Sequence, residues 1–343
     1  MRALRKVKSH VRDVAGEGLR MAGLTSPTLW ARGKLSVVTF HRVLPPSLLA
    51  KYPIPGIAVT PDELDHFLRV FQKHYTVGPL SEMARRHGNG DVPAKPLLAV
   101  TFDDGQLDNF LFARPVLQAR GVRASFYVVS DAADANRMLW PDRMAFAVRS
   151  AMEAGDIGLA SWLDDMGVTA DAADLPLAAV TQAKNLTPGE RNRRLDELEL
   201  LVGDRARPEW DGMMNWQQLR TLRIEGHEIG SHSASHPILP LVDDADLAHE
   251  VRSSKNHIEA QIGHEVRSFC YPNGDHDERV IEQVRRAGYD NAVTTRYGLN
   301  DGDASPYDLR RVDLQGRYGR NVKGQFSSGS LLIRMAGLLP GMA

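Results

Sequence analysis

The sequence predicts an α/β fold built on a parallel sheet, either open or closed into a barrel. Three observations predict it. From Leu35 onward, short β-branched and aromatic runs alternate with segments of helical periodicity. Capping boxes at Thr60-Pro61-Asp62-Glu63 and Thr187-Pro188-Gly189-Glu190 mark helix starts between those runs. Two polar clusters, Thr101-Phe102-Asp103-Asp104-Gly105 and His232-Ser233-Ala234-Ser235-His236, each follow an apolar run directly. The carboxyl ends of strands are where such folds place their working residues.

The elements follow in order. Val37-Val38-Thr39-Phe40 reads as a buried strand. The first capping box, with Pro at the first helical position, opens a helix whose Leu64, Phe67, Leu68 and Phe71 share one face. Residues 97–102 are the next strand, 110–120 a helix stopped by Gly121, and 123–130 a strand rich in aromatic and β-branched residues. Residues 141–212 hold several helical patterns and no convincing strand, so they read as a helical insertion. Its clearest helix starts at the second capping box and runs through Leu195, Leu198 and Val202 to Gly203. Alternation then resumes. A helix and turn cover 216–226 and a short strand 227–231. The next helix carries Leu247, Val251, Ser254, Ile258 and Ile262 on one side. A strand at 268–271, a helix at 278–287 and a strand at 291–294 complete the pattern. The chain divides into an N-terminal amphipathic helical segment (1–34), a main domain (35–325) and a C-terminal tail (326–343).

Composition narrows the classes. With 43% hydrophobic and 25% charged residues among 343, the chain is globular rather than disordered. Its 42 Lys and Arg balance 43 Asp and Glu, so no basic field favours nucleic acid. The single cysteine, Cys270, excludes an internal disulfide and a cysteine-rich zinc site. The N-terminus begins basic, but no apolar core follows, so it is a poor secretory signal. No stretch approaches the roughly 18 apolar residues of a membrane-spanning helix. Leu4, Val7, Val11 and Val14 recur at helical spacing among Arg2, Arg5, Lys6, Lys8 and Arg12. Such a helix either lies on an anionic membrane surface or packs on its own domain. The expectation is a cytoplasmic protein, with peripheral membrane contact through this helix as one reading.

The polar clusters carry the chemistry. Adjacent carboxylates repel and resist burial, so Asp103-Asp104 before Gly105 is either a turn or a site. Two histidines four apart, His232 and His236, can face one point in space. With a carboxylate they would form an open, three-ligand site of the zinc type, although the chain has 12 His and most such residues are structural.

These residues resemble a known family. The TFDDG and HSASH segments are similar to the first two motifs of the polysaccharide deacetylases of carbohydrate esterase family 4, the NodB homology domain. Asn215-Trp216-Gln217-Gln218-Leu219 resembles the family's lead-in to the second motif. Residues 266–274 (VRSFCYPNG) resemble its third, in the F-x-Y-P-x-G form. Residues 37–43 (VVTFHRV) look like the early strand of the exopolysaccharide deacetylases. The resemblance covers about 35–315, less the insertion. It implies a distorted (β/α) barrel and hydrolysis of N-acetyl groups on amino sugars of a poly- or oligosaccharide or a glycolipid. It implies Asp103 as general base on the attacking water, and Asp104, His232 and His236 as holders of a divalent metal. That metal would be Zn2+ first, with Co2+, Ni2+ or Mn2+ as alternatives. It also implies an oxyanion donor at the backbone after Pro272, around Asn273, with Arg267 as a partner for Asp103; Tyr271 reads as an aromatic core residue or as a wall of the pocket.

The chain departs from the family in three places. The acidic-Trp fourth motif is replaced by VTTRYGLN at 293–300. The fifth-motif segment, Leu309-Arg310-Arg311-Val312, has no His to protonate the leaving amine. Asn273 stands where an aromatic is usual. His41, which ends the first strand on the same rim, is therefore expected to serve as leaving-group acid or to orient substrate, with a structural hydrogen bond as the alternative. Trp140 and Asp142 read as mouth residues that touch sugar or pack in the core. Asp108 and Asn109 read as a helix start, and Cys270 as an inert strand residue. The alternatives are a metal-dependent amidase acting on a non-sugar amide and a glycan-binding protein that has lost catalysis.

Overall fold

Seven parallel strands close into a barrel. The structure, a computed structural model, describes residues 26–321 and 323–336, with only the backbone described at 204 and 206. The expected amphipathic helix around Leu4 to Val14 lies outside the described residues. No helix among the described residues is long and apolar enough to cross a membrane.

In chain order the strands are β1 (Leu35–Phe40), β2 (Arg42–Val43), β3 (Ala58–Val59), β4 (Thr76–Gly78), β5 (Leu97–Phe102), β6 (Ser125–Val128), β7 (Glu228–Ser231), β8 (Ser268–Cys270), β9 (Asn291–Tyr297) and β10 (Leu309–Asp313). The ring runs β1-β10-β9-β8-β7-β6-β5 and closes where β5 pairs with β1 in register, Leu35 beside Leu97 and Phe40 beside Phe102. Strand β4 adds to the first half of β5, and β2 with β3 forms a separate two-stranded pair.

Alternation along each strand sorts side chains into two cores. Leu35, Val37, Leu97, Ala99, Tyr127 and Cys270 fill the barrel with Val293 and Leu309. Val38, Phe40, Val100 and Phe102 face the surrounding helices. There Phe102 stacks on Phe40 and Phe126, with ring centroids 5.4 and 4.9 Å apart. The helix Pro61–His74 supplies Leu64, Phe67, Leu68 and Phe71 to this layer. Its capping box forms: Thr60 Oγ1 accepts from the Glu63 N–H at 3.2 Å, and Glu63 Oε2 accepts from the Thr60 N–H at 2.8 Å.

The structure differs from the expected elements in three places. Strand β10 has no sequence signature, because its inward-facing position is an arginine, Arg311. The helix after β5 begins with a π turn, Asn109–Ala113, before Arg114–Arg120 becomes α-helical and ends at Gly121 with φ 60°. The expected tail is in part a packed helix: Ser328–Ala336 buries Leu331, Leu332 and Met335 in the outer layer.

Between β6 and β7 lie the helices Trp140–Ala154, Gly158–Asp165, Leu175–Ala183 and Pro188–Val202. They have a core of their own, which includes Met144, Trp162, Val180, Leu195 and Leu198. Leu44, Tyr52 and Ile54, from the segment after β2, extend it. The insertion therefore leans on the 44–58 segment at the carboxyl end of the barrel.

His227, at the entry to β7, is 5% exposed and accepts the Ala124 N–H through Nδ1 at 3.1 Å. Burial first, opposed by Glu225, pushes its pKa down to about 4 from 6.5. Between those values the unfolded chain binds a proton that the folded chain refuses, so stability falls as pH falls through this window. The His227→Asn variant can accept the same N–H without titrating. Urea unfolding at pH 7 and pH 5 is expected to show wild type losing about 2 kcal/mol more than the variant. Equal losses would remove His227 from the acid response.

Candidate active site

Asp103 and Asp104 are separated by the backbone itself. The Asp103 N–H donates to Phe40 O at 2.9 Å, which continues the β5 ladder, so Asp103 keeps the inward alternation of Leu97, Ala99 and Thr101. There it meets Arg311, which donates from Nη1 and Nη2 to its two oxygens, both at 2.7 Å. Arg311 is fixed in turn by Thr294 O (2.7 Å), Thr39 Oγ1 (3.0 Å) and Thr101 Oγ1 (3.2 Å). Burial opposes ionisation of Asp103, but the Arg311 charge and its paired hydrogen bonds outweigh burial and hold the carboxyl below its ordinary value. Asp104 then turns the chain at φ 74°, and Gly105 follows at φ 76°, where an added Cβ would stand 3.4 Å from Val128 Cα. The turn swings the Asp104 carboxylate out of the barrel towards the end of β7.

The two histidines are presented there by a strained loop. His232 continues β7 through its N–H to Val128 O at 2.8 Å, and its Nδ1 donates to Cys270 O at 2.7 Å. That bond leaves Nε2 free to face Asp104. Ser233 and His236 sit at φ 68° and 63°, and Ser233 Oγ accepts the His236 N–H at 2.9 Å. Glu250 accepts from the Ala234 and Ser235 N–H groups, each at 2.9 Å, and Trp140 Nε1 donates to His236 O at 3.0 Å. Of the five non-glycine residues at positive φ among those described, four (Asp104, Ser233, His236 and Asn273) belong to this region. Backbone strain of that kind concentrates at functional sites.

Asp104, His232 and His236 fit a divalent metal. Asp104 Oδ1 stands 3.4 Å from His232 Nε2 and 3.6 Å from His236 Nε2. These separations are long for hydrogen bonds, but two ligands at ~2.0–2.1 Å from a tetrahedral ion stand about 3.4 Å apart. Burial first, then the neighbouring charge of His232, pushes His236 down to about 3. At His232 burial is outweighed by Cys270 and Asp104, which raise it, so an arriving ion would meet one neutral imidazole and displace a proton from the other. A second group within reach of one ion, Asp103, His232 and Cys270, fits less well. Arg311 already holds Asp103 and lies 3.3 Å from Cys270 Sγ, and burial pushes the thiol up, away from the ligating thiolate.

The site opens into a cavity of about 340 Å³. Its floor is Asp103, Asp104, His232 and His236. Ile54, Ile57, Trp140, Leu177 and Val180 make an apolar wall, drawn mostly from the insertion. Tyr271 and Asn273 also line the cavity. Tyr271 stacks on His276 and donates through its hydroxyl to Tyr307 O at 2.9 Å. Pro272 opens a tight turn, Pro272–Gly274, in which Asn273 takes φ 59° and its side-chain oxygen accepts from Lys184 Nζ. Only glycine fits at 274, where a Cβ would stand 2.1 Å from Thr295 Oγ1. His41 lines the cavity with Nε2 3.7 Å from Asp103 Oδ2.

Arg267 does not meet Asp103. It precedes β8 and so lies at the amino end of the strand, opposite the site, half-exposed and paired with Glu265 at 2.7 Å. Arg311 takes the position expected of it. Trp140 is both buried and a wall of the cavity. Asp142 instead joins Asp108 and Asp211 around the buried guanidinium of Arg42. Asn109, at the start of its helix, donates to His41 O at 2.9 Å. The sequence pattern did not single out Arg311, Lys184 or Arg42. A charged residue at an inward strand position was the one available sign of Arg311.

Residues 90–292 match the profile of the family described as polysaccharide deacetylase. Over 96 residues the chain is 26% identical to "Putative polysaccharide deacetylase YxkH" of Bacillus subtilis (strain 168), a match that takes in 28% of this chain. It spans about a third (34%) of that relative. Among solved structures, the Streptococcus pyogenes deacetylase PplD, in complex with acetate, superposes with a TM-score of 0.58 at 18% identity, covering 88% of this chain and 98% of that one. IcaB from Ammonifex degensii gives a TM-score of 0.53 at 18% identity, covering 88% and 97%. At such identities the likeness is one of fold.

Removing Arg311 would leave Asp103 charged and unpaired inside the barrel. Arg311→Met is expected to lower unfolding stability by about 3–5 kcal/mol, and adding Asp103→Asn to recover part of the loss. Urea unfolding of the two variants measures both. A loss below ~1 kcal/mol would mean the pair is not what holds Asp103 in the core.

Proposed function

The chain belongs to the polysaccharide deacetylase family, and from that premise we propose that it is a metal-dependent hydrolase removing N-acetyl groups from the amino sugars of a glycan. The observation that carries the reading is the convergence of Asp104, His232 and His236 to within reach of one ion, with the Arg311-held Asp103 beside them. A divalent ion in that group, zinc first from its donor set, would polarise the amide carbonyl and acidify water.

The chain's own residues supply the rest. Asp103 accepts the proton of the attacking water at a carboxylate oxygen, and Arg311 keeps that carboxylate ionised and aimed. The Asn273 N–H, in the turn Pro272–Gly274 beside the cavity, donates to the developing oxyanion, and Tyr271 borders the same space. His41, in the cavity with Nε2 3.7 Å from Asp103 Oδ2, donates a proton to the leaving amine nitrogen. Lys184 holds Asn273 from the insertion and adds positive charge to the pocket. The apolar wall of Ile54, Ile57, Trp140 and Val180 excludes water around the acyl group.

Elemental analysis of purified protein, combined with acetate release from N-acetylglucosamine oligomers and ring opening of small cyclic amides, tests the reading. Wild type is expected to carry one divalent ion and to release acetate from the oligomers. Asp103→Asn is expected to keep the metal and lose about 10²–10⁴-fold in kcat, whereas His236→Ala loses the metal. His41→Ala is expected to fall on the order of 10²-fold in kcat, and full activity of that variant at every pH would end its assignment. Cleavage of the cyclic amides alone would replace the glycan with another amide.

A further inference from the structure

Trp140 is a partition. One side of it lines the site described above, and the other lines a second, mostly polar cavity of about 290 Å³. At this second cavity Arg191, on the helix Pro188–Val202, lays its guanidinium 4.5 Å from the centre of the Trp140 ring. The residue is only 4% exposed, and among the described residues neither Nε nor Nη1 meets an acceptor. Glu250 is the carboxylate whose charge acts on it. The oxygens of Glu250 are already held by the Ala234 and Ser235 N–H groups and the Ser235 hydroxyl. Burial, opposed by Glu250, pushes Arg191 down to about 10.

The rest of the lining is mixed. Arg143 is paired with Glu199 at 2.6 Å. Arg137 is exposed at the mouth, with Asp131 and Asp196 facing the same space. A buried guanidinium with no acceptor is unfavourable, and its planar fork matches an oxyanion that offers two oxygens. The two mouth carboxylates can accept from hydroxyls, as a sugar ring would offer. We propose that this cavity is a subsite for an acidic glycan unit, a sugar bearing a phosphate or a carboxylate, next to the unit that carries the N-acetyl group. Arg191 receives the oxyanion, and Trp140, bonded to His236 O, sets the spacing between the two units. The inference rests on the glycan hydrolase reading but names what that reading leaves open.

Calorimetric titration of the metal-loaded full chain tests it, with inorganic phosphate and glucuronate as separate probes. Saturable binding of at least one is expected, weakened tenfold or more in Arg191→Gln. Tighter binding of phosphate assigns a phosphorylated unit, and tighter binding of glucuronate assigns a uronate. Should Arg191→Gln fail to fold, Arg191→Lys keeps the charge without the fork and is expected to show the same loss. Absence of saturable binding, or equal affinity in wild type and variant, overturns the proposal. Equal affinity is also what anion binding at the metal alone would give. Binding is read without turnover, so a protein that binds these anions through Arg191 but releases no acetate would fail the hydrolase reading while keeping this site.

Discussion

Two neighbouring carboxylates at one strand end must be turned into different electrostatic surroundings, and the rest of the rim depends on how that is done. Side by side and buried, they would raise each other's proton affinity. One backbone step at φ 74° divides them. Asp103 stays inside the barrel on Arg311, and Asp104 faces two imidazoles. Arg311 does not depend on Asp103 alone for its position: oxygens from Thr39, Thr101 and Thr294 on three strands also hold it. A guanidinium fixed that way aims the carboxylate as well as neutralising it. Asp103 therefore stays ionised at a place where burial alone would protonate it.

A second ionic arrangement fastens the insertion to the barrel. Arg42, at the start of β2, donates from Nε to Asp108 at 2.6 Å, from Nη1 to Asp142 at 3.2 Å and from Nη2 to Asp211. Asp108 belongs to the loop after β5, while Asp142 and Asp211 stand at the two ends of the insertion. Tyr52 and Gln106 donate to Asp142 at 2.7 and 2.8 Å. One cation does not balance three buried carboxylates, and the imbalance raises the proton affinity of Asp211. Burial first, with Asp142 and Asp108 adding to it against Arg42, raises Asp211 to about 6. Breaking such a cluster at one member is far more damaging than its net contribution suggests. It fixes both ends of a four-helix segment to one arginine.

Legibility in the sequence followed burial and direction. Strands β1, β5 and β6 are buried on both faces, so their apolar runs are unbroken and easily seen. Strand β10 was hidden because the barrel interior at Arg311 takes a charge rather than a hydrophobe. The two polar clusters were readable because each holds its functional residues within five positions. Arg311 lies 208 residues from the aspartate it holds, and nothing local announces that pairing. Arg267 was misplaced for a geometric reason: parallel strands share a direction, and a residue just before a strand lies at the end opposite the site. Lys184 is the lone cation that ends the helix Leu175–Ala183, and Arg191 sits among charged neighbours in Pro188–Val202, so both read as solvated, and only the packing of the insertion turns them inward.

That packing divides the labour of the molecule. The groups suited to bond breaking (Asp103, Asp104, His232, His236) are attached to strand ends or to the first residues beyond them. Their positions follow from barrel closure and register. The groups suited to selection (Trp140, Val180, Lys184, Arg191) come from helices with a separate core. Two cores joined by a localised ionic cluster can change independently. A volume change among Leu195, Leu198 and Val180 would shift the wall without moving Asp103, because no residue of that cluster packs inside the barrel. The reverse holds less well. Trp140 is bonded to His236 O, so a change in the histidine loop is transmitted to the wall through that one contact. Coupling between chemistry and selection runs through the Trp140–His236 contact, the reach of Lys184 to Asn273 and the Gln106–Asp142 bond just after the Asp103–Gly105 turn.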